Sequence, residues 1–169
     1  LKFCDAYITT SEHARKLVLE AMPKISGDRF FVIPHGRDFP EFHQMRCLPE
    51  HGQPLRILVP GNINHSKGLA VIEGLLDHDA SGLMEYHVLG QIYPLGRNLH
   101  PRIISHGGYE RSQFAELARE IRPHLGAVFS IWDETYCHTL TELWSVGLPT
   151  MVFDFPTLAS RVHNSGAGW

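Results

Sequence analysis

Short apolar runs alternate with amphipathic segments along this chain. Asp5 to Thr9 predicts a short strand, and Ser11 is placed to cap a helix that continues to about Met22. Phe30 to Ile33 predicts a second strand, closed by the turn residues Pro34-His35-Gly36. Residues 38–54 carry prolines and no clear period, and predict a linker or long loop. Leu55 to Val59 predicts a buried strand. A polar stretch, Gly61 to Lys67, then leads into a helix with Leu69, Ile72, Leu75 and Leu76 on one face. Tyr86 to Leu89 and Arg102 to Ser105 predict two more strands. The clearest helical period runs from about Glu110 to Arg122, aligning Phe114, Leu117, Ala118 and Ile121. Ala127 to Ile131 predicts a strand, and about Cys137 to Val146 a helix stopped by Gly147 and Pro149. A last strand, Thr150 to Phe153, and a last helix, about Thr157 to Asn164, complete the alternation.

Apolar strands linked by amphipathic helices mean crossover units and a parallel sheet covered on both faces. The expected fold is therefore α/β, a doubly wound, Rossmann-like parallel sheet. Ligands of such sheets bind outside the carboxyl ends of the strands. Attention falls on the loops after Val59, Leu89, Ser105, Ile131 and Phe153, which are also the most polar and glycine-rich parts of the chain.

Composition narrows the functional classes. A chain of 169 residues fits one domain with a real core. The formal net charge of −3 argues against nucleic-acid affinity driven by bulk charge. Cys4, Cys47 and Cys137 are widely spaced and odd in number, which suits a reducing compartment better than a disulfide framework. No apolar run approaches the ~20 residues of a membrane span. The histidines are scattered from His13 to His163 without metal-ligand spacing, so no metal site is expected. The chain starts at Leu1 and reads as a piece of something longer.

Three loops carry candidate chemistry. In the first, Pro60-Gly61-Asn62-Ile63-Asn64-His65-Ser66-Lys67-Gly68, small residues lead to a helix start where backbone amides favour anions, and Lys67 adds a cation suited to phosphate. No Gly-Lys-Ser/Thr closes it as in a Walker loop. It reads equally well as a glycine turn followed by a surface lysine. In the second, Gly107-Gly108-Tyr109-Glu110, glycines permit close approach of a ligand and Tyr109 is placed to pack beside a nucleobase; a core-facing tyrosine at a helix entry is the simpler alternative. The third runs from Trp132 to Glu142. Glu134 precedes the helix and Glu142 lies just over one turn inside it, next to the apolar Leu140, Leu143 and Trp144. A carboxylate buried there needs hydrogen-bond partners, which sugar hydroxyls supply. The amides of Tyr136, Cys137 and His138 sit between the two acids, where a diphosphate fits a helix start.

The spacing Glu134–Glu142 followed by Gly147-Leu148-Pro149 resembles the paired-glutamate motif of retaining glycosyltransferases of the GT-B fold, the large family numbered four. Pro60-Gly61 through Lys67-Gly68 resembles the phosphate loop of that family. Val32-Ile33-Pro34-His35-Gly36-Arg37-Asp38 resembles its Val-Ile-Pro-Asn-Gly-Val-Asp segment, and Asp5 to Ser11 resembles the last strand and helix of its acceptor domain. The run Trp132 to Glu142 is similar to a bacterial branch that builds O-antigen and other surface polysaccharides.

The resemblance implies a C-terminal, donor-binding domain, with residues 1–25 ending a missing N-terminal acceptor domain. Glu134 is then expected to contact donor-sugar hydroxyls, and Lys67 to face the diphosphate; these two form the catalytic pair. Substrate-binding positions are Gly61, Asn62, Tyr109, Tyr136, Cys137, His138 and Glu142, with Glu142 on the ribose and the backbone near Tyr109 framing the base. The implied partners are a nucleotide-sugar donor and a glycan or lipid-linked acceptor, with no cofactor and no metal. The implied place is cytoplasmic, or peripheral at the inner face of the membrane in the full-length protein. Two departures stand out. Many members carry arginine directly after the loop glycine, where this chain has Asn62. Members often carry glycine and an apolar residue where this chain has Cys137 and His138, and a protonated His138 would replace some of the missing charge. A binding or scaffold domain without catalysis, and an epimerase or phosphorylase of the same fold, remain alternatives.

Overall fold

Ile57, Leu58 and Val59 are all buried, although a strand turns successive side chains to opposite faces. Both faces at this point are therefore covered, as the unbroken apolar run predicts. The computed structural model describes residues 4–36, 42–45 and 47–169. Its first half runs β1 (Tyr7–Thr9), α1 (Glu12–Ala21), β2 (Phe30–Val32), β3 (Leu55–Pro60), α2 (Leu69–His78), β4 (Met84–Leu89) and β5 (Ile103–Ser105). Its second half runs α3 (Phe114–Ile121), β6 (Leu125–Val128), α4 (His138–Ser145), β7 (Thr150–Val152) and α5 (Pro156–Ser165).

Five strands form one parallel sheet in the order β5-β4-β3-β6-β7. The chain enters at the centre, builds outward to β5, then crosses back to lay β6 beside β3. The order thus reverses between β3 and β6, and a crevice opens beyond their carboxyl ends. On one face α2 packs Leu69, Ile72 and Leu76 against Ile57, Val59, Tyr86 and Val88. On the other, Phe114, Ala118, Leu140, Leu143 and Leu158 cover Leu58, Leu89 and Val128. Separately, β1 and β2 pair in parallel and carry α1, which Ser11 caps through Ala14 N at 3.2 Å.

Some boundaries differ from the sequence reading. Leu75 is 36% exposed rather than buried beside Ile72 and Leu76, because one residue of helix turns it about 100° from Leu76. The helix expected from Glu110 begins with a 3-10 turn, Arg111–Gln113, under a reciprocal Glu110–Gln113 cap, and becomes α-helical at Phe114. The strand expected to reach Ile131 ends at Val128; beyond it Ile131 N donates to Ser66 O at 3.0 Å instead of to a neighbouring strand. The described residues of the 38–54 segment form no helix or strand, and His43 N and Met45 N donate to the carbonyls of Ser145 and Val146 at the end of α4. Residues 38–41 and Arg46, together with Arg37 of the resemblance segment, lie outside the described residues. Among the described residues no helix is long and apolar enough to cross a membrane.

Candidate active site

Three loops meet over the crevice because glycines let their backbones touch. Gly68, the N-cap of α2, has φ +84°, and a Cβ there would run into the Phe129 carbonyl beyond β6. Gly90 has φ +144° and is pressed in the same way against the carbonyl of Gly61, whose own N–H donates to Leu89 O at 2.7 Å. The loops after β3, β4 and β6 are thereby held in register. Between the first and last of them lies a cavity of about 180 Å³. Gly61, Asn62, Lys67, Ser130 and Thr139 border it, with Val59 and Val128 beneath.

Lys67 and Glu134, the expected catalytic pair, come together beside this cavity. The Lys67 ammonium is ion-paired with Glu134 Oε1 and sits 5.6 Å from the centre of the Trp132 ring. Ser130 Oγ donates to the same carboxylate oxygen at 2.7 Å. Burial pushes the Glu134 carboxyl up, but the hydrogen bonds from Lys67 and Ser130 and the lysine's charge outweigh it, so the group titrates below its ordinary value. The Glu134 group therefore stays a carboxylate at neutral pH.

Glu142 is buried on α4 and accepts from the Tyr109 hydroxyl at 2.7 Å. The Tyr109 ring packs against Phe114, with centroids 5.5 Å apart. Its hydroxyl is thus tied to the second glutamate. Asn62 is exposed, and its Oδ1 accepts from Gln91 N at 3.1 Å, joining the loops after β3 and β4. A neutral side chain thus ties backbone together where the family resemblance expects a cation.

The turn into α4 is unusual. Cys137, its N-cap, has φ +68° and ψ 92°, a conformation that favours glycine, the residue the resemblance expects there. Its thiol is buried and lies 3.3 Å from Thr139 Oγ1. Burial pushes the thiol up, so it stays protonated and is no nucleophile at neutral pH. His138 is exposed, its ring 4.8 Å from that of His35 and 5.2 Å from that of Tyr136. Arg161 on α5 donates to the carbonyls of Tyr136 and Cys137.

Ser130 and Arg161 escape sequence reasoning. Ser130 falls inside the run expected to be strand, and Arg161 stands in an otherwise ordinary helix with no motif around it. Thr139, whose methyl borders Gly61 across the cavity, lies inside the acidic stretch but has nothing in its spacing to mark it. Among the described residues no three metal-ligating side chains gather into a cluster.

No protein-family profile and no curated protein matches the sequence. Solved structures do match the fold. The lipopolysaccharide outer core galactosyltransferase WaaB, in its apo form, superposes with a TM-score of 0.59 at 16% identity, over 89% of this chain and 43% of that one. Anabaena Alr3699/HepE in complex with UDP and glucose superposes with a TM-score of 0.70 at 14% identity, over 94% of this chain and 47% of that one. The GtfA/B complex gives 0.53 at 17% identity, over 89% and 30%. The architecture is thus that of one domain of a GT-B glycosyltransferase. The chain spans less than half the length of each of these proteins.

Proposed function

We propose that this chain is the donor-binding domain of a retaining glycosyltransferase and takes a nucleotide sugar into the crevice between β3 and β6. The observation that carries the reading is the convergence of Lys67, with Glu134 paired to it, and Thr139 at the start of α4 on one cavity at the point where the strand order reverses. Uridine diphosphate is the first nucleotide to test, because HepE was solved with UDP and glucose. In this reading Glu142, set by Tyr109, holds the ribose, and Glu134 holds sugar hydroxyls. Lys67 moves from Glu134 to the diphosphate when the donor enters.

In transfer, the bond from the anomeric carbon to the phosphate oxygen breaks, and its electron pair leaves with the diphosphate. The acceptor hydroxyl oxygen bonds to the same face of that carbon, and its proton passes to the leaving phosphate. Lys67 and the amides of α4 stabilise the growing negative charge, with no metal called for. The acceptor, a glycan or lipid-linked sugar in surface-polysaccharide synthesis, is gripped by the N-terminal domain of the longer parent. The parent works in the cytoplasm or at the inner face of the membrane. A second reading, donor binding without transfer, draws support from Asn62, which is spent on Gln91 N and supplies no charge.

Thermal denaturation with nucleoside diphosphates and their sugars, in the presence of a chelator, tests the donor reading. A ligand at ~100 times its dissociation constant should add about 2.7 kcal/mol. Absence of any shift with uridine, guanosine, adenosine and thymidine diphosphates, with or without sugar, would remove it. The isolated chain is expected to transfer no sugar. Transfer by the full-length parent, lost on Glu134→Gln, separates the enzyme from the binding domain.

A further inference from the structure

Arg161 gathers the turn into α4 from behind. Its Nη1 donates to the carbonyls of Tyr136 and Cys137, the latter at 2.8 Å. Its Nη2 donates to Thr141 Oγ1 at 2.7 Å, in the first turn of α4. The guanidinium lies over the Tyr136 ring, 4.1 Å from its centre, and 5.3 Å from the centre of the Trp144 ring. One side chain thus holds the loop and the helix start together.

A peptide unit is planar and trans, so its C=O and the following N–H point in opposite directions. With the Tyr136 and Cys137 carbonyls both on Arg161 Nη1, the amides of Cys137 and His138 are both turned away from it. Two successive peptides lie this way because Cys137 adopts φ +68°, ψ 92°. Consecutive amides turned to one side form a concavity that suits an anion. Thr139, the next residue, borders the cavity shared with Gly61 and Lys67.

We infer that Arg161 is a positioning residue for the donor diphosphate: it draws the Tyr136 and Cys137 carbonyls back so that the amides of Cys137 and His138 face the phosphates. The inference rests on the donor-binding reading above.

Calorimetric titration of wild type, Arg161→Met and Arg161→Lys with uridine and with uridine diphosphate tests this. Wild type binds both. In Arg161→Met, diphosphate affinity should fall about tenfold, the equivalent of ~1.4 kcal/mol, while uridine affinity changes less than about twofold. Arg161→Lys should recover only part of the loss, because an ammonium lacks the planar fork that reaches both carbonyls and Thr141. If Arg161→Met fails to fold, Arg161→Lys carries the test, with the same selective loss for the diphosphate of about threefold. Unchanged diphosphate affinity, or an equal loss for uridine, overturns the inference while leaving the donor reading intact. Wild type that binds neither uridine diphosphate nor any of the other nucleoside diphosphates overturns the donor reading and this inference with it.

Discussion

Arg102 and Asp79 form an ion pair at the amino end of the sheet, and Lys67 and Glu134 form one at the carboxyl end. The first is closed. Asp79 also accepts from Leu83 N at 2.9 Å and Met84 N at 2.8 Å. Arg102 donates further to the carbonyls of Leu76, Asp79 and Met84 at 3.2, 2.8 and 3.1 Å. The second pair has capacity left. An ammonium carries three donors, and among the described residues Glu134 is the acceptor that Lys67 meets. The lysine side chain is 33% exposed and borders a cavity, whereas the Asp79 side chain is 4% exposed. Two ion pairs of equal formal charge thus differ in setting: one ties three backbone segments, and the other borders a cavity.

The comparison predicts opposite phenotypes for breaking the two pairs. Arg102→Met removes three hydrogen bonds to carbonyls, at ~1 kcal/mol each, and should cost roughly 3 kcal/mol of folding stability by chemical denaturation. Uridine diphosphate affinity of the folded fraction should not move. A ligand-binding loss matching the stability loss would break the distinction between the two ends.

Tyr109→Phe is the next largest effect, and it falls on binding. It removes the hydroxyl that donates to the buried Glu142 carboxylate. A hydrogen bond to a charged group is worth about 1.5–3 kcal/mol of folding stability, and with Glu142 no longer held in place affinity for uridine and for its diphosphate should fall together, by roughly threefold or more. Glu142→Gln should weaken the same two ligands. Titration that finds either variant binding as wild type would take the ribose role from Glu142.

Much of this arrangement is legible in the sequence, and the remainder fails for physical reasons. Strands buried on both faces announce themselves, so Leu55 to Val59 and Tyr86 to Leu89 fall where β3 and β4 lie. Ser11 is a local signal for a local event, and it caps α1 as expected. Phe129 to Ile131 misleads because an apolar run looks the same whether its backbone pairs with a strand or, as here, with the Ser66 carbonyl. Spacing brings Glu134 and Glu142 to notice, but the ion pair of Lys67 with Glu134 spans 67 residues and has no sequence signature. Arg161 is silent too, since two of its partners are carbonyls, which every residue has.

Glu134→Gln sharpens the contrast further. With the carboxylate gone, Lys67 is released, and affinity for the bare diphosphate should rise, by about threefold, while the added affinity for the matching nucleotide sugar disappears. Acid sensitivity gives a second measure. Glu134 titrates below its ordinary value of 4.5, and Asp79 below its ordinary value of 3.8, chiefly because of the Leu83 N–H working against burial. A carboxyl depressed on folding contributes stability above its unfolded pKa and loses it as pH falls through the folded one. Acid unfolding should therefore become shallower in Glu134→Gln, and shallower again with Asp79→Asn. An acid limb unchanged in both would mean that neither pair is held in the native state.

Each end of the sheet also holds a non-glycine residue at positive φ, and here the expected effects are smallest. Arg122, after α3, sits in the ordinary left-handed well at φ 53°, ψ 54°. Cys137 lies outside that well at φ 68°, ψ 92°. Elsewhere in a protein alanine is more stable than glycine by about 0.4–1 kcal/mol, because glycine loses more chain entropy on folding. At positive φ the order reverses, since an L side chain meets a steric cost of roughly 1–2 kcal/mol that glycine escapes. Comparing glycine with alanine at each position removes the separate cost of losing the thiol or the guanidinium. Glycine should exceed alanine at both, by about 1 kcal/mol at Arg122 and by more at Cys137, in denaturation of the four variants. Cys137→Gly should also keep its affinity for uridine diphosphate, because glycine accepts the same backbone angles and leaves both carbonyls on Arg161. Alanine equal to or better than glycine at 137 would mean that the turn relaxes out of this conformation, and the amides of Cys137 and His138 would then lose the orientation proposed for diphosphate binding.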